Sequence, residues 1–261
     1  MVSNTKVVFS DPFTEVVERP LYADSVLSSR RAILAKDRDG EFREVGVVSN
    51  GYQLIHNSLA LDIVSDIQSR TEFGWRTLKT VWPADKGYKF SQLDVSDRKI
   101  ETFDHNGKAN EMYLGMMTRN SYDGSTAFGF ELFLFNMLCS NQYINRNRFG
   151  YFSIRHDDNR SFDIQDSVRS VHDGVGRAIE TAPRFRSLQT RSVDLKALVG
   201  IRHDLDKTLP GCGWGETIKR LDGDTQWDVY QAMTNYLSHE KDGLSSLRQN
   251  DQITTYFLNA A

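Results

Sequence analysis

The pattern of apolar and polar positions changes along the chain, and its first part is typical of strands. Residues 1–28 show no clear period, and we expect them to form an N-terminal arm with a short helix. The patterns of residues 31–36 and 41–48 predict two strands. Residues 37–40 (Asp-Arg-Asp-Gly) between them have hairpin-turn chemistry, because glycine accepts a positive φ.

A long hairpin is the clearest sheet signal. Its predicted strands, residues 111–119 and 125–139, flank a turn at residues 120–124 that ends in glycine. Both faces of the second strand are apolar, so we expect it to lie centrally in its sheet. Shorter strands are expected at residues 74–82, 89–93 and 149–156.

Apolar residues recur with helical spacing in one segment between the predicted strands, and again throughout the chain after Phe162. A first helix is expected to begin at a cap on Asn57 or Ser58, with an apolar face of Leu59, Ile63 and Ile67. Later helices are expected over residues 193–206 and from two further apolar sets: Ile164, Val168, Val171, Val175 and Ile179, and Trp227, Tyr230, Met233 and Leu237.

Strands followed by helices predict an α+β fold. We expect a mostly antiparallel twisted sheet with a long central hairpin, packed by helices, and a helical C-terminal section. A single domain is expected over residues 29–261, sheet-rich at 29–158 and helix-rich at 159–261, after the arm at 1–28.

Composition narrows the class of protein. Among 261 residues with a net charge of −3, Cys139 and Cys212 have no second Cys or His at ligand spacing, which indicates a reducing compartment and no zinc site. The start lacks the apolar core of a signal peptide, and no apolar run is long enough to span a bilayer. We therefore expect a soluble, cytoplasmic protein without a membrane partner.

The familiar catalytic and cofactor motifs are absent from the sequence. It contains no Walker loop, no dinucleotide-binding glycine motif, no H-E-x-x-H and no G-x-S-x-G. His156-Asp157-Asp158 places an imidazole beside carboxylates, but a polar turn after a strand explains it as simply. We expect no cofactor and no metal site, and an enzyme is the less favoured class.

An acid-free stretch rich in arginine and aromatic residues runs from Tyr143 to His156, and a second one covers residues 183–192. Arginines neutralise phosphates, and exposed aromatic rings stack on unpaired bases. The candidate nucleic-acid-binding residues are Arg146, Arg148, Tyr151, Phe152, Arg155, Arg184 and Arg186. The alternative is that the aromatic rings face the core and the arginines are solvated.

Polar residues near the long hairpin and in the last predicted helix form another candidate site. They are Arg119, Asn120, Asn141 and Asn235. Asparagines at strand ends commonly make turns and satisfy chain ends, so a structural role is the competing interpretation.

Three segments carry a family resemblance. They are residues 48–57 (VSNGYQLIHN), residues 120–125 (NSYDGS) followed through the apolar strand to residues 139–142 (CSNQ), and Trp227 with residues 232–239 (AMTNYLSH). Their order and spacing resemble the phage/plasmid-like family, a domain of unknown function in phages, prophages and conjugative plasmids. The resemblance implies an accessory factor of a mobile element, found near replication and recombination functions, and supplies no agreed catalytic residues.

Two functions follow as hypotheses. The first is a non-enzymatic protein that binds or anneals single-stranded DNA in recombination or replication, in the cytoplasm of the bacterial host, with self-association expected. The second is a host-takeover or counter-defence protein that binds a host protein or a small nucleotide. A hydrolase or nuclease using scattered His and Asp residues is a weaker third.

Overall fold

The structure is a computed structural model, and it describes residues 11–82, 88–105, 107–136, 142–143, 149–156, 163–208, 213–240 and 244–259. The chain divides into two compact units. The first comprises Met1–Val95, Met116–Glu131 and Tyr151–Ser170, and the second comprises Ser96–Gly115, Leu132–Gly150 and Val171–Ala261. The α+β class with antiparallel sheets is confirmed, whereas the domain boundaries expected at residues 28 and 158 stay predictions.

A three-stranded antiparallel sheet begins the first unit. It consists of β1 (Glu15–Ala23), β2 (Val26–Lys36) and β3 (Phe42–Ser49), in that order. The expected strands and their turn are confirmed, with Gly40 at φ +89°. The short helix expected within residues 1–28 is wrong for Glu15–Ala23, because pairing with β2 buries Val16 in a strand.

One face of this sheet is the core of the first unit. A single cluster is formed by Phe13, Val16, Ile33, Ala35, Val45, Val48, Tyr52 and Tyr122. Strand alternation sends the intervening residues to the opposite face, which we call the outer face. Arg19, Ala32 and Val47 lie opposite one another across the three strands and form one row of this outer face.

A second sheet has the order β4-β5-β6-β7-β8, and β9 also pairs with β7. Its strands are β4 (Trp75–Val81), β5 (Lys89–His105), β6 (Lys108–Ser121), β7 (Phe128–Asn136), β8 (Gln142–Tyr143) and β9 (Tyr151–Ile154). The predicted long hairpin is β6 with β7. Every residue of β7 is buried, as expected of a central strand with apolar residues on both faces.

The first helix, α1 (Asn57–Ser69), differs in detail from the expectation. Its buried residues are Asn57, Ala60, Val64 and Ile67, whereas Leu59 is half exposed. Of the expected face of Leu59, Ile63 and Ile67, Ile67 is fully buried and Ile63 is half-buried, whereas Leu59 was wrong, because the small Ala60 marks the side that packs closely. The N-cap is His56, without a side-chain cap bond, and Asn57 uses its amide elsewhere.

The helical section contains α2 (Ile164–Ser187), α3 (Leu195–Thr208), α4 (Trp214–Lys219), α5 (Gln226–Glu240) and α6 (Leu244–Asn259), with a short 3₁₀ turn at Leu188–Thr190. The buried stripe of α2 alternates steps of four and three: Val171, Val175, Ala178, Ala182 and Phe185. Ile179 falls outside this stripe and is exposed, contrary to expectation.

Aromatic rings form the core of the second unit. Trp227 on α5 packs edge-on against Phe103 at 5.0 Å and lies near Phe185 and Tyr230. The N-terminus of α5 is held by Asp228, whose Oδ2 accepts from Thr225 N and Oγ1. In the described part of the chain, no helix is long and apolar enough to cross a membrane.

Candidate functional site

Two segments distant in sequence meet in the first unit, namely residues 50–57 after β3 and residues 120–125 at the end of β6. The hydroxyl of Tyr52 lies within hydrogen-bond distance of the carbonyl oxygens of Ser121 (3.2 Å) and Tyr122 (3.0 Å). Both tyrosine rings are buried. We call this meeting point of the two segments, centred on Tyr52 and Tyr122, the tyrosine junction.

Buried polar side chains extend the tyrosine junction. Asp11 Oδ2 accepts hydrogen bonds from the Tyr122 hydroxyl at 2.7 Å and from Asn57 Nδ2 at 3.1 Å. Asn120 Nδ2 donates to Asn57 Oδ1 at 2.8 Å and to the Ile55 carbonyl at 2.9 Å. Asn120, a residue of the predicted polar site, therefore belongs to the framework that joins the two segments.

Glycines permit the close approach of the backbones at the junction. Gly124 has φ +71°, and a Cβ there would lie 2.9 Å from the Tyr52 ring. A Cβ on Gly46 would lie 2.8 Å from the Asp123 backbone. A side chain at either position would push β3 and its following segment away from the β6–β7 turn.

The electrostatics of the junction keep both tyrosines protonated. Burial, followed by the charges of Asp123 and Glu18, raises the pKa of Tyr52 well above its ordinary value of about 10. Burial and the hydrogen bond to Asp11 do the same to the pKa of Tyr122. Both hydroxyls are consequently neutral donors at every pH in the physiological range.

His156 closes the junction on the side of β9. Its ring stacks on Tyr52 at 4.8 Å, and it is buried. Nδ1 lies 3.0 Å from the Gln53 carbonyl oxygen, and Nε2 lies 3.3 Å from that of Thr126. Carbonyl oxygens only accept, so both bonds form together only when the imidazole carries two protons.

An open cleft of about 390 Å³ lies beside the junction, and we call it the arginine cleft. It is lined by Val47, Val48, Ser49, Tyr52, Asp123, Gly124, Ala127, Arg155 and His156. Arg155 is exposed at this cleft, and it has no ion-pair partner among the described residues. Ser49 lies opposite the exposed Arg30 in the β2–β3 register. Arg30, on the outer face of the sheet, therefore adds a second cation near the arginine cleft.

The β9 strand carries the predicted aromatic residues. Tyr151 is 53% exposed, and it lies opposite Glu131 on β7. Phe152 is half-buried and stacks on Phe130 with ring centroids 5.7 Å apart. The ring of Tyr151 is consequently accessible to solvent, whereas that of Phe152 packs mainly against Phe130.

Comparison with known proteins identifies the family to which these segments belong. Residues 44–260 match the family described as Domain of unknown function (DUF932). The chain belongs to the DUF932 family. The resemblance to phage/plasmid-like proteins, drawn from the three segments, is thereby confirmed. Comparison with curated proteins and with solved structures gave no match.

The three family segments have different roles in this DUF932 chain. The first two, at residues 48–57 and 120–125, form the tyrosine junction. The third lies on α5, where Trp227, Met233 and Leu237 are buried in the second unit. Asn235 on the same helix is half-buried. The third segment therefore supplies mainly the packing of its own unit.

The second arginine stretch differs from the first. Phe185 is fully buried against Tyr230, so its ring offers no surface to a base. Arg186 forms an ion pair with Glu101, which occupies its charge, whereas Arg184 is exposed. Both arginines lie in the last turn of α2 and belong to the second unit.

The remaining candidates include one internal ion pair. Arg119 on β6 pairs with Glu131 on β7, and the Glu131 side chain is almost fully buried. A buried charge needs such a partner, so the role of Arg119 is to pair with Glu131 inside the hairpin. Arg146, Arg148 and Asn141 lie outside the described residues.

Sequence reasoning missed several residues of the junction. Asp11 lies in a segment without period, and no signal marked it. Tyr52 and Tyr122 lie inside the family segments, but their sequence could not show that they meet. Within the described residues, no group of three or more His, Cys, Asp or Glu is placed to hold a metal ion.

Proposed function

We propose that this DUF932 chain binds single-stranded nucleic acid at the arginine cleft and along β9, as an accessory factor of recombination or replication of a phage or plasmid. Its place of action would be the cytoplasm of the bacterial host. The observation that carries the proposal is the exposed ring of Tyr151 on β9 in the same short segment as the exposed Arg155.

Charge supports this proposal locally, although the chain as a whole is acidic. Arg155 and Arg30 are exposed, and neither has an ion-pair partner among the described residues. Asp123, the carboxylate of the arginine cleft, accepts from Ser125 N at 3.0 Å and from Ser125 Oγ at 2.6 Å. Because both guanidinium groups are exposed, they are accessible to phosphates, which supply most of the affinity in sequence-independent binding.

Tyr151 would add stacking to this charge. An exposed aromatic ring on a strand is a usual platform for an unpaired base, and each stacked base contributes about 1–3 kcal/mol. Phe152, the neighbour of Tyr151, stacks on its cross-strand partner Phe130 and so helps to hold β9 on the sheet.

The direct test is a fluorescence-anisotropy titration of a labelled single-stranded oligonucleotide with matched variants. Tyr151→Ala is expected to weaken binding by about fivefold to 150-fold, the range that loss of one stacked base implies. Tyr151→Phe keeps the ring and should bind within about twofold of the wild type. Arg155→Ala is expected to weaken binding, whereas Arg202→Ala, which removes an exposed cation of α3 that pairs with Asp206, should not.

Three results would count against the proposal. They are absence of binding by the wild type, equal binding by Tyr151→Ala and Tyr151→Phe, and equal losses for Arg155→Ala and Arg202→Ala. Each would show that the platform and the cleft arginine do not form the binding surface.

A small nucleotide is the second candidate ligand, because about 390 Å³ is the size of a small-molecule site. Competition between a mononucleotide and the labelled oligonucleotide distinguishes these two candidate ligands. If a mononucleotide displaces the oligonucleotide completely, and affinity does not rise with strand length, the arginine cleft is a nucleotide pocket. Affinity that rises with strand length supports the single-strand proposal.

A further inference from the structure

The tip of the β1–β2 hairpin exposes an apolar surface. Tyr22, Val26 and Leu27 are 64%, 69% and 62% exposed, and Tyr22 lies directly opposite Leu27. The turn between the strands is Asp24–Ser25, with φ of 49° and 67° at these two residues. Large apolar side chains grouped at a protruding turn are typical of a protein–protein contact.

The tip is set off from the rest of the sheet by an irregularity in pairing. Pro20 pairs with Arg31, and the next pair is Tyr22 with Leu27, so residues 28–30 of β2 face only Leu21 of β1. Arg19 follows on the outer face, where it is exposed and has no ion-pair partner among the described residues. The tip thus combines exposed apolar side chains with one exposed carboxylate, Asp24 in the turn, and a cation, Arg19, at its base.

A complementary surface exists in the first unit, and we call it the acidic cleft. It has a volume of about 490 Å³, and Phe13, Val16, Leu61 and Trp82 form apolar walls. Asp11 and Glu15 supply two carboxylates. The described residues that line it include no lysine or arginine. The acidic cleft therefore favours an apolar ligand that also carries a positive charge.

The hairpin tip cannot fill the acidic cleft of its own chain. Glu15, which lines the cleft, and Tyr22, which lies at the tip, belong to the same strand. Seven residues of extended strand separate their Cα atoms by about 23 Å. The strand would have to fold back on itself, so the two surfaces can be joined only between different molecules.

We propose that the hairpin tip of one copy inserts into the acidic cleft of a second copy. Tyr22 and Leu27, which share one face of the hairpin, would lie between Phe13 and Trp82, and Arg19 would approach Glu15. The two contacting surfaces are different, so the contact is heterologous, and repeating it produces a ring or a filament. The contact would also remove from water the apolar side chains that the isolated chain leaves exposed.

The test uses the full chain without nucleic acid, so its outcome does not depend on the proposed function. Sedimentation velocity measures assembly of the wild type, of a tip variant (Tyr22→Ser with Leu27→Ser) and of a cleft variant (Glu15→Arg). Assembly of the wild type should increase with concentration, and each variant alone should assemble about tenfold more weakly or worse, as for loss of a central anchor. An equimolar mixture of the two variants should form a dimer and no larger species, because one intact tip and one intact cleft remain.

Three further variants distinguish loss of the contact from loss of the fold. Leu195→Ser removes a 77% exposed leucine from α3 and should assemble as the wild type does. Arg19→Glu should weaken assembly, and Glu15→Arg in the same chain should restore it, since the opposite charges would again meet. A wild type that stays monomeric, a tip variant that assembles normally, or a mixture that forms no dimer would overturn the proposal.

Discussion

A tyrosine hydroxyl can donate and accept at once, and Tyr122 does both. It donates to Asp11 Oδ2 at 2.7 Å and accepts from the Asn57 backbone N–H at 3.3 Å. Asp11 also receives the Asn57 side chain and the Phe13 backbone N–H. At the scale of single residues, the junction depends on this one phenol, because removing it leaves both a carboxylate and a helix N-terminal N–H short of a partner.

Tyr122→Phe is accordingly expected to lower the free energy of unfolding by about 1–3 kcal/mol, the cost of leaving buried polar groups without partners. Urea-induced unfolding measures this difference. The control is Tyr22→Phe, because the 64% exposed Tyr22 has water as an alternative partner. Equal stability of the two variants would contradict the role given to Tyr122.

The raised pKa values of Tyr52 and Tyr122 predict an alkaline loss of stability. In the folded chain both phenols keep their protons, whereas in the unfolded chain they ionise near pH 10. Their contribution is complete below about pH 10 and is lost as the pH rises beyond it. Ultraviolet absorbance of tyrosinate should place Tyr52 and Tyr122 among the tyrosines that ionise only with unfolding, and Tyr52→Phe should lower the number of such tyrosines by one. Ionisation of both in the folded chain would refute this account.

At the scale of elements, the β6–β7 turn positions the junction, and Gly124 is its most constrained residue. Its φ of +71° is the left-handed conformation, and the Tyr52 ring occupies the space that a Cβ would need. Gly107, in the turn between β5 and β6, has φ +72°, and a Cβ there would have no atom of the other described residues within 4 Å, its chain neighbours aside. Comparing alanine substitutions at these two glycines therefore separates the cost of backbone strain from the cost of the steric contact with Tyr52.

Gly107→Ala should cost about 1 kcal/mol of stability from the left-handed conformation alone. Gly124→Ala should cost that amount and more, because Tyr52 must also move. Chemical unfolding of the two variants gives the difference. If Gly124→Ala is no more destabilising than Gly107→Ala, the close approach at the junction does not contribute.

Strands and helices could be predicted from the sequence where the apolar residues of a segment followed a single clear pattern. The apolar run of β7 correctly indicated a central strand, and the glycine-containing turns located both hairpins. Errors arose where small residues decide packing, as at Ala60, whose burial leaves Leu59 exposed. The strand at Glu15–Ala23 was missed because its alternation is weak and its partner, β2, supplies the pairing.

At the scale of the whole molecule, no local pattern could have placed Tyr52 beside Tyr122. The two residues are held together by the packing of β3 and its following segment on the end of the β6–β7 hairpin. The resemblance drawn from the sequence included both segments, but only the structure shows that they form one junction beside Arg155. Arg155 and Tyr151 were predicted from the acid-free composition of their segment, and both are exposed.

The salt dependence of binding to single-stranded DNA tests the central claim most directly, because charge and stacking respond differently to salt. The logarithm of the binding constant should fall linearly with the logarithm of salt concentration for the wild type, and Arg155→Ala should reduce that slope by about one phosphate contact. Tyr151→Ala should weaken binding at every salt concentration without changing the slope. A wild type whose binding is absent or independent of salt, or an unchanged slope for Arg155→Ala, would contradict the account.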